Sequence, residues 1–138
     1  MARLLDLGVE PYLVSSTLLC VLAQRLVRRV CPHCAQEAAV PQDEARELGI
    51  AGPASCRLGA GCGRCMGTGY LGRIGLYELL SAHDELREQI ERRESTVSVR
   101  HAAVRRGMKT LREDGVDKVL AGVTSASEVL RVTRYEGE

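Results

Sequence analysis

The chain has 138 residues, enough for one compact domain or two small ones, and it lacks Phe and Trp; Tyr12, Tyr70, Tyr77 and Tyr135 are its aromatics. A core must be assembled from Leu, Val, Ile and Ala, and at this size it is marginal without help. Lys and Arg number 19 against 18 Asp and Glu, so net charge gives no argument for nucleic acid or an anionic membrane, and aromatic platforms for stacking single strands are missing.

Met1-Ala-Arg leads into an amphipathic segment and not into the apolar stretch of a secretory signal. The longest apolar run, Leu18 to Ala23, is far below the roughly 20 residues that cross a bilayer, so no direct membrane insertion is expected. Residues 1–30 read as helical. Gly8 stops a first short helix after Leu4, Leu5 and Leu7, and Pro11 suits the start of a second. From Tyr12 to Arg29 the apolar positions Val14, Leu18, Leu22 and Leu26 recur every four residues, which predicts one long helix. Arg25, Arg28 and Arg29 would lie in its last turns, where cations suit the helix dipole. Cys20, beside that stripe, is expected to be a buried and inert thiol.

Residues 31–73 carry eight glycines between Gly49 and Gly72, a composition that disfavours long helices and strands. They suit a looped module shaped by a metal, with one short helix capped by Asp43 and stopped at Gly49. Residues 74–138 return to regular structure. A short strand is expected around Ile74, Leu76, Tyr77 and Leu80, then a helix from Ser81 or Asp84 to about Arg93. Further helices are expected over Thr96–Arg106, from the capping box Thr110–Glu113 to Gly122, and from the capping box Ser125–Glu128 to Arg134. Together they predict a small helical bundle.

The chemistry is concentrated in Cys31-Pro-His-Cys34 and Cys62-Gly-Arg-Cys65, two CxxC pairs with 27 residues between them. Each CxxC turn places two sulfurs on one side of a tight loop, and two such knuckles supply the four thiolates of structural zinc. Four protein ligands leave no open position, so the ion would hold structure and perform no chemistry. Zinc could contribute about 10–16 kcal/mol of binding energy that is also folding energy. With no export signal, the cysteines read as a reduced metal site and not as disulfides. A redox-active CxxC normally follows a strand and opens a helix, a setting expected for neither pair. Cys56 forms no knuckle and is given no metal role, and His33 reads as a solvated loop residue. Arg28, Arg29, Arg57, Arg64 and Arg73 flank the motif and either offset the thiolate charge or form a solvated rim. No phosphate loop, nucleophile elbow or HExxH motif is present, and His33, His83 and His101 sit in ordinary polar settings.

Several stretches carry a family resemblance. They are Arg3–Pro11, Val21–Arg28, Cys31–Cys34, Gly61–Cys65, Gly69–Gly75, Met108–Gly115 and Val123–Val129, in that order. The chain resembles the C-terminal part of the ATPases that power type II secretion and type IV pilus assembly, with a pattern closer to the type II branch. The resemblance implies an α+β, mostly helical fold in three parts. Residues 1–30 would be terminal helices of a RecA-like ATPase core, 31–73 a tetracysteine zinc module, and 74–138 a helical subdomain. It also implies a cytoplasmic homo-hexamer, peripheral to the inner membrane through secretion platform proteins, that converts ATP hydrolysis into pseudopilus assembly and protein secretion. The chain holds no match to the family's phosphate loop, so ATP and Mg²⁺ belong to the longer parent and this chain alone is expected not to be an enzyme. Met1 is either a cloning artefact or the start of a detached fragment. Gln24 and Arg25 match a stretch near the nucleotide-bearing core and are candidates for a nucleotide-proximal or inter-subunit role. Alternatives are a pilus ATPase fragment and a chaperone-like zinc module, since Cys62–Gly69 is similar to one of the four CxxCxGxG repeats of J-domain chaperones.

Overall fold

The computed structural model describes residues 2–134, so the reading of Met1 lies outside them. Among those residues the elements run α1 (Ala2–Asp6), α2 (Pro11–Thr17), β1 (Cys20–Val30), β2 (Ala35–Ala39), α3 (Gln42–Leu48) and β3 (Ser55–Gly59). After a 3-10 turn at Gly63–Cys65 come β4 (Tyr70–Ser81), α4 (Asp84–Glu91), α5 (Thr96–Arg105), α6 (Leu111–Leu120) and α7 (Ala126–Thr133). The chain is α+β. Strands β1 and β4 form one two-stranded sheet. Strands β2 and β3 form another, antiparallel, with Ala35 opposite Gly59 and Ala39 opposite Ser55.

The long helix expected over Tyr12–Arg29 is not formed. α2 ends at Thr17, Leu18 turns extended (φ −69°, ψ 124°), and Cys20–Val30 is a strand. The sequence signal was ambiguous for a physical reason. A four-residue spacing fits the 3.6-residue helix period, and as a multiple of two it also keeps side chains on one face of a strand. Leu22 and Leu26 do share a face, but it is the outward one, 58% and 50% exposed, while Val27 on the opposite parity is fully buried. Arg25, Arg28 and Arg29 therefore lie on a strand, and no helix dipole acts on them. Cys20 opens that strand and is exposed, not buried.

Later elements follow the expectation more closely. α3 stops where Gly49 adopts the left-handed conformation (φ 74°), although Pro41, not Asp43, occupies its N-cap position. β4 is longer than expected and begins inside the glycine-rich stretch. At α4 the cap is neither Ser81 nor Asp84: His83 Nδ1 accepts the Leu86 N–H at 3.1 Å.

The chain divides into two compact units that cut across the three segments expected from sequence. One unit contains residues up to Ala23 together with Glu78–Thr110, and the other contains Gln24–Tyr77 with the residues from Leu111 onward. In the first unit Val14 of α2, Leu86 and Ile90 of α4 and Val99 of α5 form the buried cluster, flanked by Leu5, Leu18, Leu80 and Ala82. Buried Ser15 ties α2 to α4: its hydroxyl donates to Glu91 Oε1 at 2.7 Å, and its carbonyl accepts from Arg87.

In the second unit α6 packs on α7, α7 on α3, and α6 on β3. Val27, Leu76, Val119 and Val129 are fully buried. Gly115 permits the α6–α7 approach, because a Cβ there would strike Val129 Cγ1. Among the described residues no helix is long and apolar enough to cross a membrane.

Candidate metal centre

The two CxxC pairs sit at strand ends of the second unit. Cys31 follows β1 directly, and Cys34 leads into β2. Cys62 lies three residues after β3, and Cys65 closes the 3-10 turn that precedes β4. Neither pair opens an α-helix, unlike a thioredoxin-type motif. Each turn is closed by its own backbone, with the Cys34 N–H donating to the Cys31 carbonyl at 3.3 Å and the Cys65 N–H to the Cys62 carbonyl at 3.2 Å. The strands of the β2–β3 ladder then bring the two knuckles together.

All four sulfurs lie within 4.8 Å of one another. The distances are 3.9 Å for Cys31–Cys62, 3.8 Å for Cys34–Cys65 and 3.7 Å for Cys62–Cys65. A disulfide would need about 2.05 Å. A tetrahedral zinc with Zn–S bonds of about 2.3 Å sets its sulfurs about 3.8 Å apart. The donor set therefore fits a four-thiolate ion in both chemistry and geometry. Cys31 and Cys65 are buried and Cys34 and Cys62 half-buried, so the cluster is largely shielded from water.

Burial and local hydrogen bonds push the Cys34 and Cys65 thiols in opposite directions. At Cys34 burial dominates and pushes the thiol up to about 12. At Cys65 burial also opposes charge, but N–H groups of Cys62 and Gly69, 3.2 and 3.3 Å from the sulfur, bring it down to about 6. These are backbone donors: the flanking arginines, read either as offsetting the thiolate charge or as a solvated rim, do not supply them. Cys56 lies apart, buried on β3 opposite Ala38, with its thiol pushed up by burial first and by Glu44 second. His33 is exposed. Gln24 and Arg25 are both exposed on β1, and Gln24 Nε2 donates to Tyr77 Oη at 3.3 Å.

Sequence reasoning missed a buried acid. Glu128, 2% exposed, accepts from the Arg28 main-chain N–H (2.8 Å), the Arg28 guanidinium (2.9 Å), and Arg131 Nε and Nη2 (3.0 and 2.9 Å). Burial opposes its charge, but these donors hold its carboxyl down at about 2. Arg28 also stacks on the Tyr70 ring, 4.2 Å from the centroid, and Tyr70 Oη shares a 2.8 Å hydrogen bond with Ser125 Oγ. Ser125 caps α7 by accepting the Glu128 N–H. Only half of the expected capping box is thus local, because the Glu128 carboxylate is spent on the two arginines.

Comparison with known proteins decides the family. The family model described as "Type II/IV secretion system protein" matches residues 1–131. The chain belongs to that family. It is 48% identical, over 95% of its length, to the type IV pilus assembly ATPase PilB of Thermus thermophilus, and 44% identical, over 99%, to type II secretion system protein E of Pectobacterium carotovorum. The type II secretion system protein E of Pseudomonas aeruginosa is 46% identical over 97% of the chain. The chain spans 15% of the first of these relatives and 27% of each of the other two.

Proposed function

We propose that this chain is the zinc-stapled C-terminal portion of a secretion motor ATPase, in which Cys31, Cys34, Cys62 and Cys65 hold one structural zinc. The observation that carries the reading is the set of four cysteine sulfurs within 4.8 Å of one another, inside a chain of this family. Four protein thiolates leave the ion no open position, so its role is to fix backbone. The module 31–73 then joins the end of a RecA-like core to the helices beyond it and offers surface to neighbouring subunits of a hexamer and to inner-membrane platform proteins. ATP and Mg²⁺ binding belong to the longer parent, a cytoplasmic ATPase. On this reading Gln24 and Arg25, exposed on β1, face the nucleotide-bearing region or an adjoining subunit. Type II secretion is the preferred system, and the 48% identity to a pilus assembly ATPase favours the pilus as the alternative.

Two measurements test it together. Chelation should lower the thermal midpoint of the chain and unfold residues 31–73, and the chain alone should not turn over ATP. A midpoint indifferent to chelator, or ATP hydrolysis by the chain itself, would overturn the proposal.

A further inference from the structure

We infer that Gly69 is the positioning residue of the metal centre: one residue whose two backbone groups tie the two knuckles to each other. Its N–H donates to Cys65 Sγ at 3.3 Å, and its carbonyl accepts the Cys31 N–H at 2.9 Å. Cys65 belongs to the second knuckle and Cys31 to the first, so Gly69 bridges ligands more than 30 residues apart in sequence. Its conformation requires glycine twice over. The φ of +75° is left-handed, and a Cβ would run into the Gly59 carbonyl. Gly59 is the reciprocal partner, since a Cβ there would strike Gly69 backbone, so neither position has room for a side chain. Gly72 is the internal comparison: its φ is +77°, yet no atom lies within 4 Å of where its Cβ would be.

The inference rests on the metal reading and makes a separable claim within it. Groups that orient a ligand typically change metal affinity about 10–100-fold when removed. The 138-residue chain is loaded with NMR-active cadmium, and proton–cadmium correlations are recorded. The β-protons of the four cysteines should couple through their sulfurs, and the Gly69 and Cys62 amide protons should couple through their N–H···S hydrogen bonds. In competition with a chelator, Gly69→Ala should weaken zinc binding about 10–100-fold while Gly72→Ala leaves it unchanged. Cysteine couplings without the Gly69 amide coupling would overturn the clamp and leave the metal centre standing. Equal affinities for wild type and Gly69→Ala, or equal losses in both glycine variants, would do the same. No cadmium coupling at any cysteine would overturn both. The wild-type spectrum decides even if Gly69→Ala does not fold.

Discussion

Arg28 and Glu128 meet through both the backbone and the side chain of the arginine: the Arg28 main-chain N–H lies 2.8 Å from Glu128 Oε2, and its guanidinium 2.9 Å from Oε1. Because Arg28 stands three residues before Cys31, this pair fixes the strand that delivers the first knuckle onto the start of α7. Thr124 Oγ1 donates to the Arg28 carbonyl, and the Val30 N–H donates to the Val123 carbonyl, extending the same seam.

Glu128→Gln should therefore destabilise the second unit. The amide keeps the shape but replaces an acceptor of four hydrogen bonds with one that has a single acceptor oxygen. Hydrogen bonds to charged groups contribute about 1.5–3 kcal/mol, and the half-exposed arginines lower the yield, so a loss of about 1–3 kcal/mol is expected. Chemical denaturation with zinc in excess measures it, and a variant as stable as wild type would contradict the role given to the carboxylate.

The same group predicts a pH dependence. Its folded value of about 2 lies below the ordinary 4.5, so its contribution is complete above about 4.5 and is lost as pH falls towards 2. The stability difference between wild type and Glu128→Gln should be constant from pH 7 to pH 5 and shrink below that. Taking the difference cancels the loss of zinc on acidification. A gap that widens as the pH falls would have the wrong sign.

Gly115 offers a test by reversal. Helix propensity alone favours alanine over glycine by about 1 kcal/mol, whereas overpacking against a buried neighbour costs about 1–3 kcal/mol. Since a Cβ at Gly115 strikes Val129, Gly115→Ala should destabilise wild type by about 1 kcal/mol and stabilise a Val129→Ala background. Additive effects in the double-mutant cycle would mean that the two positions do not touch.

Met66 holds a left-handed conformation at φ 51° just after the second knuckle, and its side chain is 89% exposed. Left-handed backbone costs a non-glycine residue about 1–2 kcal/mol, so Met66→Gly should raise stability by up to about 1 kcal/mol without altering metal content. Thermal unfolding of the zinc-loaded chain checks this, and a clear loss of stability would show that the side chain has a packing role.

What was legible in the sequence depended on whether the signal was local. The CxxC spacing places two sulfurs by chain geometry alone, and Gly49, Gly107 and Gly122 mark helix ends through backbone conformation at single residues. The strand over Cys20–Val30 was misread because leucines spaced by four satisfy both periods, and the choice is made by partners distant in sequence. Glu128 was misread for the same reason. Its sequence neighbours suggest a cap, while its carboxylate is held in part by Arg28, one hundred residues away. The hydrogen bonds of Gly69, one to Cys65 Sγ and one from the Cys31 N–H, carry no side-chain signature at all, so only the folded chain reveals them.

On the proposed reading Cys31, Cys34, Cys62 and Cys65 hold one ion as a tetrahedron of thiolates. Zinc-edge X-ray absorption on the purified chain, with metal content determined on the same sample, addresses it most directly. One zinc per chain, surrounded by four sulfurs at about 2.3 Å, is expected. A folded chain with no metal, or a zinc ligated by fewer than four sulfurs, would contradict it.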